Sequence, residues 1–255
     1  VIFYNVYECG STDEDTASET VDTSAAGANV LIADGTINNV TGSYVARIYD
    51  PDSVVLSEDG MTVEDSEKLH KYDGAFYSKM SMNVDGGEAG TGVLNITADN
   101  EGLDTELHLT INGGTINITS GNDGINTNED NVSVTTVNGG SVNIQVAGET
   151  GEGDGIDSNG DLTISGGTAT VTTAGGAGQS ISDDISAKGL KAGTQVTVTG
   201  GTFQLNCCDD AIHSNGDVTI SGGSFTIATG DDGMHADDTL SISSGTIDIL
   251  SLIHI

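Results

Sequence analysis

Acidic residues recur along this chain in matching places. Asp209-Asp210 and Asp231-Asp232 are pairs, Asp123 and Asp154 hold the equivalent position of earlier segments, and Asp183-Asp184 lie in a longer stretch between 154 and 209. Two carboxylates about 5 Å apart repel by roughly 3 kcal/mol at an effective dielectric near 20. A ladder of them is costly unless a cation relieves it, and calcium is a hard cation that takes about six to eight oxygens from Asp, Asn, carbonyls and water. Asp123, Asp154, Asp184, Asp209, Asp210, Asp231 and Asp232 are therefore the expected Ca2+ ligands. The plainer reading is partial neutralisation by neighbours and solvent at an exposed corner. Zinc suits the pattern less, because His213 and His235 lack a clear third nitrogen or sulfur ligand.

Lys188 and Lys191 are two of only six basic residues. Lys188 replaces the acid between Asp154 and Asp210, and Lys191 falls between Asp157 and His213. The plainer role is a salt-bridge rung that breaks the acid ladder. The sharper one is recognition or catalysis, since lysine acts as a base when its pKa is lowered. Flanking carboxylates should raise that pKa instead, unless bound calcium cancels them.

The elements that position these groups follow from an internal repeat. Residues 209–223 read DDAIHSNGDVTISGG, 231–245 DDGMHADDTLSISSG, 153–167 GDGIDSNGDLTISGG and 187–201 AKGLKAGTQVTVTGG, with further units at 73, 100 and 122. Their second positions are Gly74, Glu101, Asp123, Asp154, Lys188, Asp210 and Asp232, in steps of 27, 22, 31, 34, 22 and 22 residues. The base period is 22, and the excesses are insertions, which a solenoid tolerates as loops. Each unit contains three short alternating segments rich in Val, Ile and Thr, separated by Gly, Asn or Asp, and alternation of this kind means strands. The predicted fold is all-β: a right-handed parallel β-helix with about 22 residues and three strands per coil. Residues 73–249 form seven coils. No proline interrupts them, as inter-coil hydrogen bonding requires.

With Ile156 and its equivalents pointing inward, two rows point outward. The first is Tyr77, Asp104, Asn126, Asp157, Lys191, His213 and His235; the second includes Asn159, Asn215 and Asp237. Between them runs an inward row of small residues, from Ser78 to Ala236. The outward rows are the expected ligand-binding stripe, because carboxylates, amides and imidazoles hydrogen-bond sugar hydroxyls well. The plainer alternative is a solvated face that keeps the coil soluble.

Outside the repeat the expectations are coarser. Residues 1–24 hold a strand and an acidic Ser/Thr-rich segment at the edge of a fragment or mature piece. Residues 25–72 form irregular coils or a cap, and Pro51 marks a turn. Residues 250–255 are a non-repeat tail. Cys9, Cys207 and Cys208 are too few for a disulfide framework; buried thiols are the simpler state of the last two. The balance of 39 acidic to 6 basic residues, a formal charge of −33, argues against nucleic acid and anionic membrane as partners. No apolar run is long enough for a membrane span.

The motif DGIDSNGDLTISGGT and its variant AKGLKAGTQVTVTGGTF resemble a family of carbohydrate-binding parallel β-helix proteins related to polysaccharide lyases. The resemblance covers about 73–249. It implies an extracellular right-handed β-helix that binds cellulose or acidic, pectin-like polysaccharide and carries calcium at Asp154, Asp184, Asp209, Asp210, Asp231 and Asp232. It also implies a lyase-like scaffold without assured lyase activity, with Lys188 or Lys191 at the place of the base.

Three functions follow. The leading one is a non-catalytic, calcium-dependent polysaccharide-binding module, secreted or at the cell surface, monomeric or part of a larger chain. The second is a calcium-dependent pectate-type lyase acting by β-elimination. The third is a structural adhesin or spacer.

Overall fold

In the computed structural model, residues 2–4, 27–42, 45–49, 53–65, 68–72, 74–78, 80–147, 153–180 and 185–251 are described. They form a right-handed parallel β-helix with three strands per coil. One coil shows the plan: Ile212–Ser214, Asp217–Ile220 and Ser224–Thr229 are its three strands. First strands stack into a seven-stranded sheet, second strands into a nine-stranded sheet and third strands into an eight-stranded sheet. The strand Ile2–Tyr4 adds to the nine-stranded sheet antiparallel to Ala28–Leu31.

The repeat register is the hydrogen-bond register. Phe76, Leu103, Ile125, Ile156, Leu190 and Ile212 align from coil to coil and form one side of a continuous core. Phe203 and Phe225 stack inside it, with centroids 4.5 Å apart. The inward small residues from Ser78 to Ser214 are buried, Ala236 in the last coil is half-buried, and Thr127 shares hydrogen bonds with Ser158 at 3.0 Å and Thr135 at 3.2 Å. Burying hydroxyls is tolerable when they satisfy one another.

Two glycines explain the invariant look of the motif. Gly167 turns the Gly-Gly corner at φ 82°, and a Cβ there would sit 2.8 Å from the Gly140 carbonyl oxygen. Gly155, after the reference acid, lies so close to the next coil that a Cβ would strike the Gly189 carbonyl and Val171.

Ahead of the first repeat unit, Ala28–Leu31 and Ile37–Gly42 pair in register with Met82–Asp85 and Val93–Ala98, so a coil begins there with two regular strands. The chain then leaves the solenoid and returns at Gly74–Ser78. Along the way Val45–Tyr49 pairs antiparallel with Lys68–Tyr72, and Val55–Leu56 with Val63–Asp65. Thr12–Ser24, Pro51 and Cys9 lie outside the described residues. At the other end, Leu240 and Ile242 keep the inward register but are 46% and 50% exposed, because no described coil stacks beyond them. Cys207 and Cys208 are free and buried. Among the described residues no helix is long and apolar enough to cross a membrane.

Candidate functional site

The seven-stranded sheet sets the first outward row one residue per coil: Tyr77, Asp104, Asn126, Asp157, Lys191, His213 and His235 are consecutive strand partners. The expected open stripe needs correction in its middle. Asp104, Asn126 and Asp157 are only 1%, 7% and 8% exposed. They point away from the core, but neighbouring polar side chains close over them. Asn128 donates to Asp104 Oδ1 at 2.6 Å, Asn126 donates to Glu101 Oε1 at 3.2 Å and to Asn128 Oδ1 at 3.1 Å, and Lys191 lies on Asp157. Asn159 turns its amide to the Asn128 carbonyl at 2.8 Å. Tyr77, at the far end, donates to Glu106 at 2.7 Å.

The exposed portion lies around the last two coils. The His213 and His235 rings stack with centroids 4.8 Å apart, 12° from parallel. Each is held from both sides. His213 meets Asp210 at 2.8 Å and Asn215 at 3.1 Å; His235 meets Asp232 at 3.2 Å and Asp237 at 3.1 Å. The bonds to Asp232 and then Asp237 raise the His235 pKa above its ordinary value.

The reference row runs beside this one, and its acids have a backbone task that spacing alone does not reveal. Asp123 Oδ1 accepts the N–H of Asp154 at 2.6 Å, Asp154 Oδ1 that of Lys188 at 2.6 Å, and Asp210 Oδ1 that of Asp232 at 2.9 Å. Each acid thus caps the amide of the following coil. Lys188 has no acceptor to offer, and there Asp209 Oδ1 accepts the Asp210 N–H at 2.8 Å instead.

Three groups of donor atoms converge within 4.8 Å: Asp123, Asp154 and Asp157; Asp209, Asp210 and Asp231; and Asp210, His213 and His235. Asp184 lies outside the described residues. Asp232 caps the exposed end, holding His235, and joins none of the three. In the first group burial, then the charges of Asp154 and Asp157, push Asp123 well above the usual carboxylate range. Burial also raises Asp157, with Lys191 pulling the other way. Lys191 Nζ sits 2.7 Å from Asp157 and 3.1 Å from Asp154; burial lowers its pKa, but the two carboxylates outweigh burial and hold it above the ordinary lysine value. Lys188 Nζ lies 2.7 Å from Asp209, whose upward push from burial is more than reversed by that ammonium together with the N–H groups of Asp210 and Ala187. Both lysines therefore occupy salt-bridge rungs. In the third group Asp210 adds a carboxylate oxygen rather than a third nitrogen or sulfur ligand to the two histidines, whose ring nitrogens are already engaged.

A family model described as "Carbohydrate-binding domain-containing protein" matches residues 11–233, and the chain belongs to that family. No curated protein and no solved structure matches it.

Proposed function

We propose that the protein binds acidic polysaccharide along the outward rows of the seven-stranded sheet, outside the cell, with calcium linking its carboxylates to those of the sugar. Family membership supports carbohydrate as the ligand class. The observation that carries the cation reading is in the buried middle of the row. Among the described residues Asp157 Oδ1 and Asn126 Oδ1 are buried without a hydrogen-bond partner, next to each other in register, where Asp123 and Asp154 add further oxygens. Buried oxygens normally find a partner. An all-oxygen donor set with surplus negative charge fits calcium and does not fit zinc. Asp123, Asp154 and Asp157 would hold one ion; Asp209, Asp210 and the exposed Asp231 would hold another within reach of solvent. Calcium supplies the positive charge that lets a chain of net charge −33 accept a uronate. His213, His235, Asn215 and Lys191 would then hydrogen-bond sugar hydroxyls, since all keep some exposure. The millimolar calcium that weak extracellular sites need agrees with a secreted or surface location.

The lyase alternative needs a deprotonated lysine. Lys191 between two carboxylates is biased the other way, so the binding reading stands ahead of it.

The test is retention on immobilised polygalacturonate with calcium and with EDTA, together with elemental analysis of the purified protein. Retention that falls at least tenfold in EDTA supports the reading. Equal retention in both overturns calcium bridging, and appearance of an unsaturated product with the short-wavelength ultraviolet absorption of a conjugated carboxylate would reinstate the lyase.

A further inference from the structure

His213 and His235 are two of the five histidines in the chain, and they are strand partners on adjacent coils. Both nitrogens of each ring face oxygen. On the Nδ1 side, His213 lies 2.8 Å from Asp210 Oδ2 and His235 lies 3.2 Å from Asp232 Oδ2. On the Nε2 side, His213 lies 3.1 Å from Asn215 Oδ1 and His235 lies 3.1 Å from Asp237 Oδ1. His235 is therefore set between two carboxylates. A neutral imidazole has one N–H and one bare nitrogen, so one of these contacts lacks a hydrogen to share. Either a second ring proton or a metal ion fills that gap.

The arrangement suits a metal. A ligating histidine donates its other ring N–H to a carboxylate, a carbonyl or water, which fixes the ring and bares the ligating nitrogen. Asn215 and Asp237 stand where that N–H would be received. With Nε2–H so donated, the bare Nδ1 atoms both face the reference row. Asp210 is itself held there, its Oδ1 accepting the Asp232 N–H at 2.9 Å while Oδ2 faces His213. One donor atom from each of Asp210, His213 and His235 lies within 4.8 Å of the other two.

We propose that Asp210, His213 and His235 form a site for a late first-row divalent ion, copper(II) above all, separate in chemistry from the all-oxygen groups. Calcium takes oxygen ligands, whereas imidazole nitrogen suits copper, nickel and zinc, and affinity for a given site peaks at copper. Two nitrogens and one carboxylate fall short of a closed structural zinc site, but copper accepts mixed nitrogen and oxygen donors in a tetragonal arrangement that water completes. Donors about 2.1 Å from one ion lie at most about 4.2 Å apart, so the group must close slightly. The rings are 12° from parallel, and His235 must tilt toward its neighbour to share an ion. Its side chain is 38% exposed, which gives room for the tilt and leaves the ion a face open to water. The proposal rests neither on the calcium reading nor on the polysaccharide reading. Asp210 also belongs to the oxygen group with Asp209 and Asp231, so the test is made without calcium.

The experiment adds copper(II) to the full chain, stripped of metal and held in calcium-free buffer at pH 7.5. Affinity is read by competition with a chelating dye, and the ligand set by electron paramagnetic resonance of the frozen one-to-one adduct. The parent should show hyperfine coupling to two imidazole nitrogens. His213→Gln and His235→Gln should each bind copper at least tenfold more weakly and lose that two-nitrogen pattern, while Asp157→Asn keeps both affinity and pattern. His235 is half-exposed on the last described coil, so His235→Gln keeps the test open if His213→Gln fails to fold; circular dichroism checks each variant. An oxygen-only spectrum in the parent overturns the proposal. So does a nitrogen pattern that survives both substitutions, or equal affinity in parent and variants, which would mark an adventitious ion on an acidic surface. Failure of calcium-dependent retention on polygalacturonate bears on the polysaccharide reading and leaves this one standing.

Discussion

Lys191 and Asp157 occupy adjacent coils of one row, and their Nζ and Oδ2 atoms lie 2.7 Å apart while Asp157 Oδ1 has no hydrogen-bond partner among the described residues. The ammonium therefore satisfies half of a buried carboxylate and also touches Asp154. Replacing Lys191 by Met strands two buried charges, and removing one partner of a buried pair costs about 3–5 kcal/mol. Urea denaturation should show a loss of about 3 kcal/mol for Lys191→Met, with part of it recovered in Lys191→Met/Asp157→Asn. A change below about 1 kcal/mol would mean that the pair is solvated and carries little.

Asp123 gives stability a definite pH dependence. Its folded pKa is raised above the ordinary 3.8, so its contribution is fully present below that value and is lost as pH rises through the folded pKa. Asp209 acts in the opposite sense. Its folded pKa is lowered, and its contribution disappears as pH falls through that value. Asp123→Asn keeps an oxygen to accept the Asp154 N–H but removes the charge. In EDTA its melting temperature should exceed that of the parent at pH 7.5 and converge with it near pH 4. Parallel curves would show that Asp123 is not the group responsible.

Calcium should oppose that loss. A ligand present at about 100 times its Kd stabilises by about 2.7 kcal/mol. Thermal scans at pH 7.5 should shift upward with calcium in the parent chain and much less in Asp157→Asn. A shift of the same size with magnesium would point to general screening rather than to a shaped oxygen site.

His235 should titrate above the ordinary 6.5 in NMR spectra, since Asp232 and then Asp237 hold its ring protons. The stability this supplies is present below the unfolded value and lost as pH rises through the folded one. Asp237→Asn should lower the midpoint. An unchanged midpoint would assign the effect to Asp232 alone.

The corner and coil-contact glycines separate two backbone effects. Gly167→Ala places a side chain at φ 82°, a conformation costing about 1–2 kcal/mol in L-residues. Gly155→Ala meets the Gly189 carbonyl and Val171 without relief, and should lower the denaturation midpoint further than Gly167→Ala does.

Much of this molecule is legible in its sequence because the repeat spacing is the hydrogen-bond spacing. Aligning Leu103, Ile125 and Ile156 by motif places them where the strands pair. Alternation also separates inward Thr127 and Ser158 from outward Asn126 and Asp157. What alternation cannot express is cover. It assigns Asp157 to the outside of a coil, yet Lys191 from the next coil closes over it, and burial follows from that second layer. The capping of Lys188 N–H by Asp154 was equally hidden, because a carboxylate at a regular interval reads the same whether it meets a cation or an amide.

The caps also decide how such a rod can change length. Asp123, Asp154 and Asp210 each serve the coil after them, so a coil excised or duplicated there as a whole unit keeps its neighbours' amides supplied. The coil of Lys188 is the exception, for it takes a cap from Asp154 and passes none on, leaving Asp209 to begin the series anew. Growth or shortening on either side of that coil is modular. A cut that separates Lys188 from Asp209 leaves an ammonium without its counter-ion, so it is at this joint that variants of different length should be hardest to build.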